Sequence, residues 1–326
     1  MDSKNESLPF TQVLDALFEG ETLPIHLLFR LSDMTASERD EFGMRWTAVS
    51  AERRRVMMRH MADLSEENYV VDFAPILITC LTDSEAAVRA AALDGLWDVT
   101  DGRMAQPIIR LLQTDESEVV RVAAAKALAH FVLMAEWDQL SPRITKPIVE
   151  ALLAEYEKPD AAISIKRAAL EALGAANHPR IAELIVTAYD DIDETLQTSA
   201  VYAMGQSADK RWLPTVLAEM ENPDPAMRVV AARASGIFGS SDAISPLEEL
   251  LFDEDLEVRL SAVLAIGQIG GDSATRILLE LGEDDEYADL HEAIEEALGE
   301  IAMIAGELDF LGMQEYEDED DNLLLN

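Results

Sequence analysis

One segment of this chain is written several times over. Asp83-Ser-Glu-Ala-Ala-Val-Arg89-Ala-Ala-Ala returns as Asp115-Glu-Ser-Glu-Val-Val-Arg121-Val-Ala-Ala and again as Asp253-Glu-Asp-Leu-Glu-Val-Arg259-Leu-Ser-Ala. Weaker copies centre on Lys166, Gln197, Arg228 and His291, so successive spacings are 32, 45, 31, 31, 31 and 32 residues. A period of this length belongs to an array in which each copy is one supersecondary unit. Such a unit cannot bury its apolar face alone and is stabilised by stacking on its neighbours. The hydrophobic content, 49 %, is enough to fill that stacked interior, so the formal net charge of −39 does not imply a disordered chain.

Each copy reads as two helices. Three residues beyond the Arg slot stand Ala92, Ala124, Ala169, Ala200, Ala231, Ala262 and Ile294; six beyond stand Gly95, Ala127, Ala172, Ala203, Ala234, Ala265 and Ala297. Small residues three apart share a helix face and let a neighbouring helix come close. Eight beyond the slot, Gly174, Gly205, Gly236, Gly267 and Gly299 are expected to end the second helix in a left-handed conformation. Pro75, Pro107, Pro214 and Pro246 suit the first turn of the first helix, where a missing N–H costs nothing. Six residues before the slot an acid or its amide recurs: Asp83, Asp115, Asp160, Asp191, Asn222, Asp253 and Asp285. A short acceptor there is expected to cap the second helix. It also faces the Arg of its own or an adjacent copy, forming a ladder from Asp83, Arg89, Asp115, Arg121, Asp253 and Arg259.

This arrangement of Pro, Asp, Val-Arg, Ala and Leu-Gly resembles HEAT repeats, in particular the short HEAT-like repeats of the phycobilin-lyase type. The Ala51-Glu-Arg-Arg-Arg55 stretch ahead of the array also resembles bacterial HEAT-repeat proteins of unassigned function. The resemblance implies an all-α fold: an α-solenoid of about seven HEAT-like helix pairs over residues 70–305. Lys166, Gln197 and His291 in the Arg slot depart from the pattern and weaken the ladder. Residues 1–69 do not fit the period but read as helices, with Ser37 and Ser50 as N-caps, and suit a helical cap over the exposed end of the stack. The long interval places extra residues at Phe131–Arg143 and Tyr156–Ile163, as longer helices or loops. Residues 306–326 hold the acidic run Glu315–Asp321 and are expected to be a disordered tail.

Composition narrows the function. Acidic groups outnumber basic ones 64 to 25, which argues against nucleic acid or an anionic membrane as partner. A lone cysteine, Cys80, excludes an internal disulfide framework or a multi-Cys zinc site. Apolar runs such as Phe73–Leu81 are about half the ~20 residues a membrane helix needs, and no basic-then-apolar secretory leader is visible, so a cytoplasmic protein is expected. Arg53-Arg54-Arg55 with Arg59 is the one dense basic cluster and reads as a solvated helix start pairing with local acids.

No catalytic, cofactor or metal site emerges. Deoxyhypusine hydroxylase, a HEAT-like enzyme, carries His-Glu pairs in this slot of several repeats; here His291-Glu292 is a single pair, and one imidazole and one carboxylate cannot hold two irons. Gly236-Ile-Phe-Gly239 and Gly267-Gln-Ile-Gly270-Gly271 follow helices and lack the Lys of a phosphate loop. The slots one and five beyond the Arg vary freely and form one stripe on the second helix. The resemblance implies that second helices line the concave side. Its centre then displays Lys126, Arg167, Tyr202, Arg233, Leu260 and Leu264, an Arg/Tyr/Leu set suited to anchoring another protein or peptide. The function expected is a non-enzymatic interaction scaffold, with no small-molecule substrate. The alternative is a phycobilin-lyase-like or other HEAT-like enzyme or chromophore-handling protein.

Overall fold

The computed structural model describes residues 8–67 and 71–303, among which no strand occurs. The expected tail at 306–326 lies outside the described residues. Contacts divide the chain into two compact units, Met1–Ala176 and Asn177–Asn326. In both, helices alternate as first and second members of pairs, the fold of an all-α solenoid.

The first unit opens with α1 (Phe10–Glu19), a 3-10 turn (Ile25–Leu31), α2 (Ala36–Trp46) and α3 (Ala51–Glu67). The pairs α4 (Ala74–Cys80) and α5 (Ala86–Asp94), α6 (Ala105–Thr114) and α7 (Glu118–Glu136), α8 (Pro142–Glu157) and α9 (Ile163–Leu173) follow. The second unit contains α10 (Ile181–Tyr189) and α11 (Glu194–Gln206), α12 (Leu213–Glu219) and α13 (Pro225–Phe238), α14 (Ile244–Leu250) and α15 (Leu256–Ile269), then α16 (Gly271–Gly282), a 3-10 segment (Asp285–Leu290) and α17 (291–303). Second helices stack on one another: α3 on α5, α5 on α7 and α7 on α9 in one unit; α11 on α13 and α13 on α15 in the other. The prolines sit in the first turns of α4, α6, α12 and α14. The long interval is taken up by α7, 19 residues long, and α8, 16 residues long.

The small-residue slots explain the stacking. Ala92, Ala124, Ala169, Ala200, Ala231 and Ala262 are fully buried. Of the glycines eight beyond the slot, Gly174 does close α9, though with right-handed dihedrals, and three others do not end their helices. Gly205, Gly236 and Gly267 lie inside α11, α13 and α15, and the left-handed residue closing α13 is Gly239, at φ 58°. Their purpose is close approach. A Cβ on Gly205 would fall 2.7 Å from the Cβ of Ala234; one on Gly267 would fall 2.7 Å from that of Ala297; one on Gly236 would meet the Ala265 Cα at 3.0 Å. The residue eight beyond one slot therefore lies against the residue six beyond the next.

The same contact appears one helix earlier than the sequence period suggests. A Cβ on Gly95 would meet the Ala62 Cα at 3.2 Å, and Ala62 stands eight beyond Arg54. Arg54 accordingly behaves as a slot arginine. It is 6 % exposed, its Nε lies 3.0 Å from Asp83 Oδ2, and its Nη2 donates to Asp83 Oδ1 at 3.1 Å. The basic cluster is thus not the solvated helix start expected from sequence. Arg53 is also engaged, donating to the Leu17 and Ala16 carbonyls at the end of α1 and to the Thr22 carbonyl, a favourable place for a cation. Arg55 and Arg59 are exposed. Trp46 Nε1 donates to Asp83 as well, at 2.8 Å, and Trp46 stacks on Phe42 with ring centroids 4.9 Å apart. One carboxylate therefore ties α2 and α3 to the turn before α5.

Complete rungs form at two regularly spaced steps. Arg89 makes a two-pronged pair with Asp115 at 2.7 and 2.8 Å and donates to the Asp83 carbonyl. Arg228 repeats this with Asp253, at 2.7 Å for both prongs, and with the Asn222 carbonyl. Arg259 reaches the Asp253 carbonyl and pairs with the Asp289 carboxylate at 2.5 Å; the side chain of the slot residue Asp285 lies outside the described residues. Asp289 is carried by the 3-10 segment Asp285–Leu290 that precedes α17. Arg121 breaks the expected ladder. Its Nε is buried without a partner, and no carboxylate lies within ion-pair distance of it among the described residues. Gln197 keeps only half a rung, donating to the Asp191 carbonyl at 2.6 Å, and the acceptor slot in the next pair is the amide Asn222. Where the cation is absent, the matching acid is absent too.

The slot acids act one turn before the helix. Asp83, Asp115, Asp191, Asn222 and Asp253 each accept the N–H two residues on. This closes an Asx-turn. The N-caps proper are Asp193, Asp224 and Asp255, two residues later. In α2 the cap is Thr35, in a capping box with Glu38, rather than Ser37; Ser50 does accept the Arg53 N–H at the start of α3.

Candidate partner-binding surface

The variable stripe follows from helix geometry. With the +3 and +6 residues buried against neighbours, the residue five beyond the slot turns outward. In the second unit these are Tyr202 on α11, Arg233 on α13 and Leu264 on α15, and all three line one concavity of about 200 Å³ with Gln206, Ile237 and Gln268. Tyr202 is 39 % exposed and Ile237 42 %, so two large apolar surfaces face solvent side by side. Leu260, one beyond its slot, is half-buried and lies outside that lining. Arg233 is held from the neighbouring second helix: its guanidinium bonds Glu257 and donates to Ser261 Oγ at 3.1 Å. The concavity therefore presents a tethered guanidinium among an aromatic ring, two aliphatic side chains and two amides.

In the first unit Lys126 is exposed on α7 and Arg167 is partly exposed on α9, 3.7 Å from Glu171 one turn on. Ala90, in the same slot family as Arg167, is buried, so the stripe displays nothing there. The signal that sequence reasoning lacked was Ile237. It lies in no variable slot, but its helix continues past Gly236 and carries it to the edge of the concavity.

Other chemical groups are placed structurally. His291 Nε2 is buried without a partner at the start of α17, and no group of three or more His, Cys, Asp or Glu able to hold a metal ion occurs among the described residues. Cys80 is buried, and desolvation pushes its thiol far above the usual range, with Asp83 adding to the shift. It is not a reactive thiolate. Tyr189 is pushed up to about 12 by burial and by its hydrogen bond to Glu219. No helix of the described residues is long and apolar enough to cross a membrane.

The family model for HEAT repeats matches residues 54–142 and 213–299. Its first match begins at Arg54, where the pairing pattern begins. Among curated proteins, the chain is 25 % identical over 169 residues to the uncharacterized phycocyanin operon protein Z of Pseudanabaena tenuis, covering 49 % of this chain and 82 % of that protein. It is 25 % identical over 176 residues to a HEAT repeat-containing taxis protein of Halobacterium salinarum, covering 54 % of this chain and 37 % of the other. Deoxyhypusine hydroxylase of Bos taurus is 27 % identical over 141 residues, 41 % of this chain and 46 % of the enzyme. The chain thus spans less than half the length of the last two.

Proposed function

The chain belongs to the HEAT-repeat family, and on that premise we propose that it is a non-enzymatic scaffold that binds another protein or peptide along its second helices. The observation supporting this is the concavity formed by Tyr202, Arg233 and Leu264. Tyrosine and arginine beside apolar contacts supply most of the binding energy at protein interfaces. The concavity's volume, about 200 Å³, is below the ~300–1,000 Å³ of small-molecule pockets, which favours one side chain of a larger partner over a free metabolite. Leu260, Lys126 and Arg167 extend the stripe in this reading. The helices before α3 serve as a cap in this reading, the helices from α3 onward as the repeat array and 306–326 as an acidic tail, so the cap is shorter than the 1–69 expected from sequence. A net charge of −39 disfavours nucleic acid and anionic membranes as partners. The working compartment is the cytoplasm, and no cofactor takes part.

A second reading, chromophore handling, is favoured by the match covering 82 % of a phycocyanin operon protein. One experiment separates the two. Wild-type protein and a Tyr202→Ala, Arg233→Ala variant are used for affinity capture from the native host, with captured proteins quantified by mass spectrometry. The scaffold reading expects at least one abundant partner to be lost from the variant at unchanged melting temperature. Identical capture profiles sink it. Visible absorbance or stoichiometric iron in the purified protein would favour the enzyme class instead.

A further inference from the structure

The second unit carries another concavity, on its first helices. The chain leaves α14 at Leu251 and exposes the next residue, Phe252, to 60 %. The 3-10 segment after α16 brings Tyr287 against it, ring centroids 5.6 Å apart and nearly perpendicular. Beside these rings, and lined by both, lies a recess of about 160 Å³ whose floor is the buried Leu251, Ile277 and Leu281. Its rim is Glu248, Glu280 and Asp284. An exposed phenylalanine and a half-buried tyrosine over an aliphatic floor make the recess apolar, yet all three charged groups at its edge are carboxylates.

The surroundings strengthen that sign. Residues 248–290 contain thirteen acidic residues and two basic ones, Arg259 and Arg276. Both are engaged: Arg259 with Asp289 at 2.5 Å, and Arg276 with Glu280 at 3.3 Å. Asp284 spends one oxygen on the Glu286 N–H. The region therefore keeps a large excess of negative charge around an apolar recess.

We propose that this recess receives one lysine or arginine side chain from a basic segment of a partner protein. A cation over an aromatic ring is attracted by the negative ring face, the more so as it is desolvated. The methylene stem of either residue lies well on an aliphatic floor while its head stays with the carboxylates. The volume is too small for a drug-sized ligand, which needs ~300 Å³ or more. A purely apolar or acidic segment fits poorly, because it would strip water from the carboxylates without compensating them. The proposal is independent of the Tyr202 surface, since the two recesses share no residue.

The test uses the full chain and a fluorescent, amidated Leu-Lys-Leu-Lys-Leu peptide, with binding followed by anisotropy at physiological salt. Phe252→Ala, expected to fold normally because the ring is largely exposed, should weaken binding about five-fold, the scale of a lost cation–π contact. Glu280→Gln should also weaken it. Glu194→Gln, which removes one exposed charge on α11, should leave it within about two-fold, as expected for a distant screened charge. The same peptide with both lysines acetylated should not bind. Equal weakening by Phe252→Ala and Glu194→Gln would reduce the effect to general attraction by net charge and overturn the proposal. So would undiminished binding of the acetylated peptide. Tyr202→Ala should not change peptide affinity, which keeps this outcome separate from the fate of the first surface.

Discussion

The α13/α15 contact and the α7/α9 contact are built from the same slots with different results. Between α13 and α15 the spacing is 31 residues, Arg228 closes on Asp253, and Gly236 lies against Ala265. Between α7 and α9 the spacing is 45, and the helices still pack, with Ala124, Ala127, Ala169 and Ala172 all buried. The rung, however, is gone: Arg121 Nε is buried and unpartnered, and Asp160 is exposed. Helix stacking needs only small residues at the right heights on two cylinders. A charged rung needs a turn to deliver a carboxylate at one point, so an insertion that lengthens α7 and α8 spares the first and removes the second.

The comparison can be broken most forcefully at its charged end. Arg228→Met removes a guanidinium that is 15 % exposed and leaves Asp253, 11 % exposed, without its counter-ion. Orphaning a buried ion of a pair costs several kcal/mol, so a loss of about 3 kcal/mol is expected in urea unfolding. Arg121→Met removes a guanidinium that makes no ion-pair contact and acts on Asp115 only through space, so it should cost clearly less, about 1 kcal/mol or below. Equal losses would show that the rung adds nothing beyond the packing of the arginine stem. The pH dependence gives an independent check. The hydrogen bonds from Arg228, opposed by burial and aided by the Asp255 N–H, hold the Asp253 carboxyl below its ordinary value. A depressed folded value means that the contribution is complete above about pH 4 and is lost as pH falls through that folded value. The difference between wild type and Arg228→Met should therefore shrink below about pH 4. A difference that is constant with pH contradicts the assignment.

The small-residue end comes next. Ala231 is fully buried three beyond its slot, and Ala231→Leu should overpack the array by about 1–3 kcal/mol. Gly205→Ala is the finer probe, because its new Cβ would sit 2.8 Å from the Ala234 Cα, which is backbone and cannot turn aside. A loss of about 1–3 kcal/mol is expected there too, read as a fall in melting temperature. Unchanged melting of both variants would remove the close-approach account of these slots.

How much of this was legible follows from what a period can carry. The Ala slots and the alternation of helices repeat in the letters, so the stack was readable. The glycines were readable as positions but not in role, since a letter does not say whether a missing Cβ frees a dihedral or admits a neighbour. Arg54 was hidden because 35 residues separate it from Arg89, and because its helix has Met57 where the array has Ala. The loss at Arg121 depends on where the inserted residues place Asp160. The stripe was readable as variation, and Tyr202, Arg233 and Leu264 do share a recess, but the Glu257 that holds Arg233 lies on the following second helix, α15, at no repeated slot.

The smallest effect gives the sharpest control on the glycine argument. Gly43 lies inside α2, and a Cβ added there meets nothing within 4 Å. In an exposed helix interior alanine is favoured over glycine by about 1 kcal/mol, because glycine pays more backbone entropy on folding. Gly43→Ala should therefore stabilise the chain by about 0.5–1 kcal/mol, while the identical change at Gly205 or Gly267 destabilises it. The chemistry of the substitution is constant and the helical backbone is the same, so the opposite signs isolate the neighbouring helix as the cause. If all three changes raised the melting temperature, the glycines of α11 and α15 would be tolerated rather than required, and the close contact with Ala234 and Ala297 would not be what places a glycine in those slots.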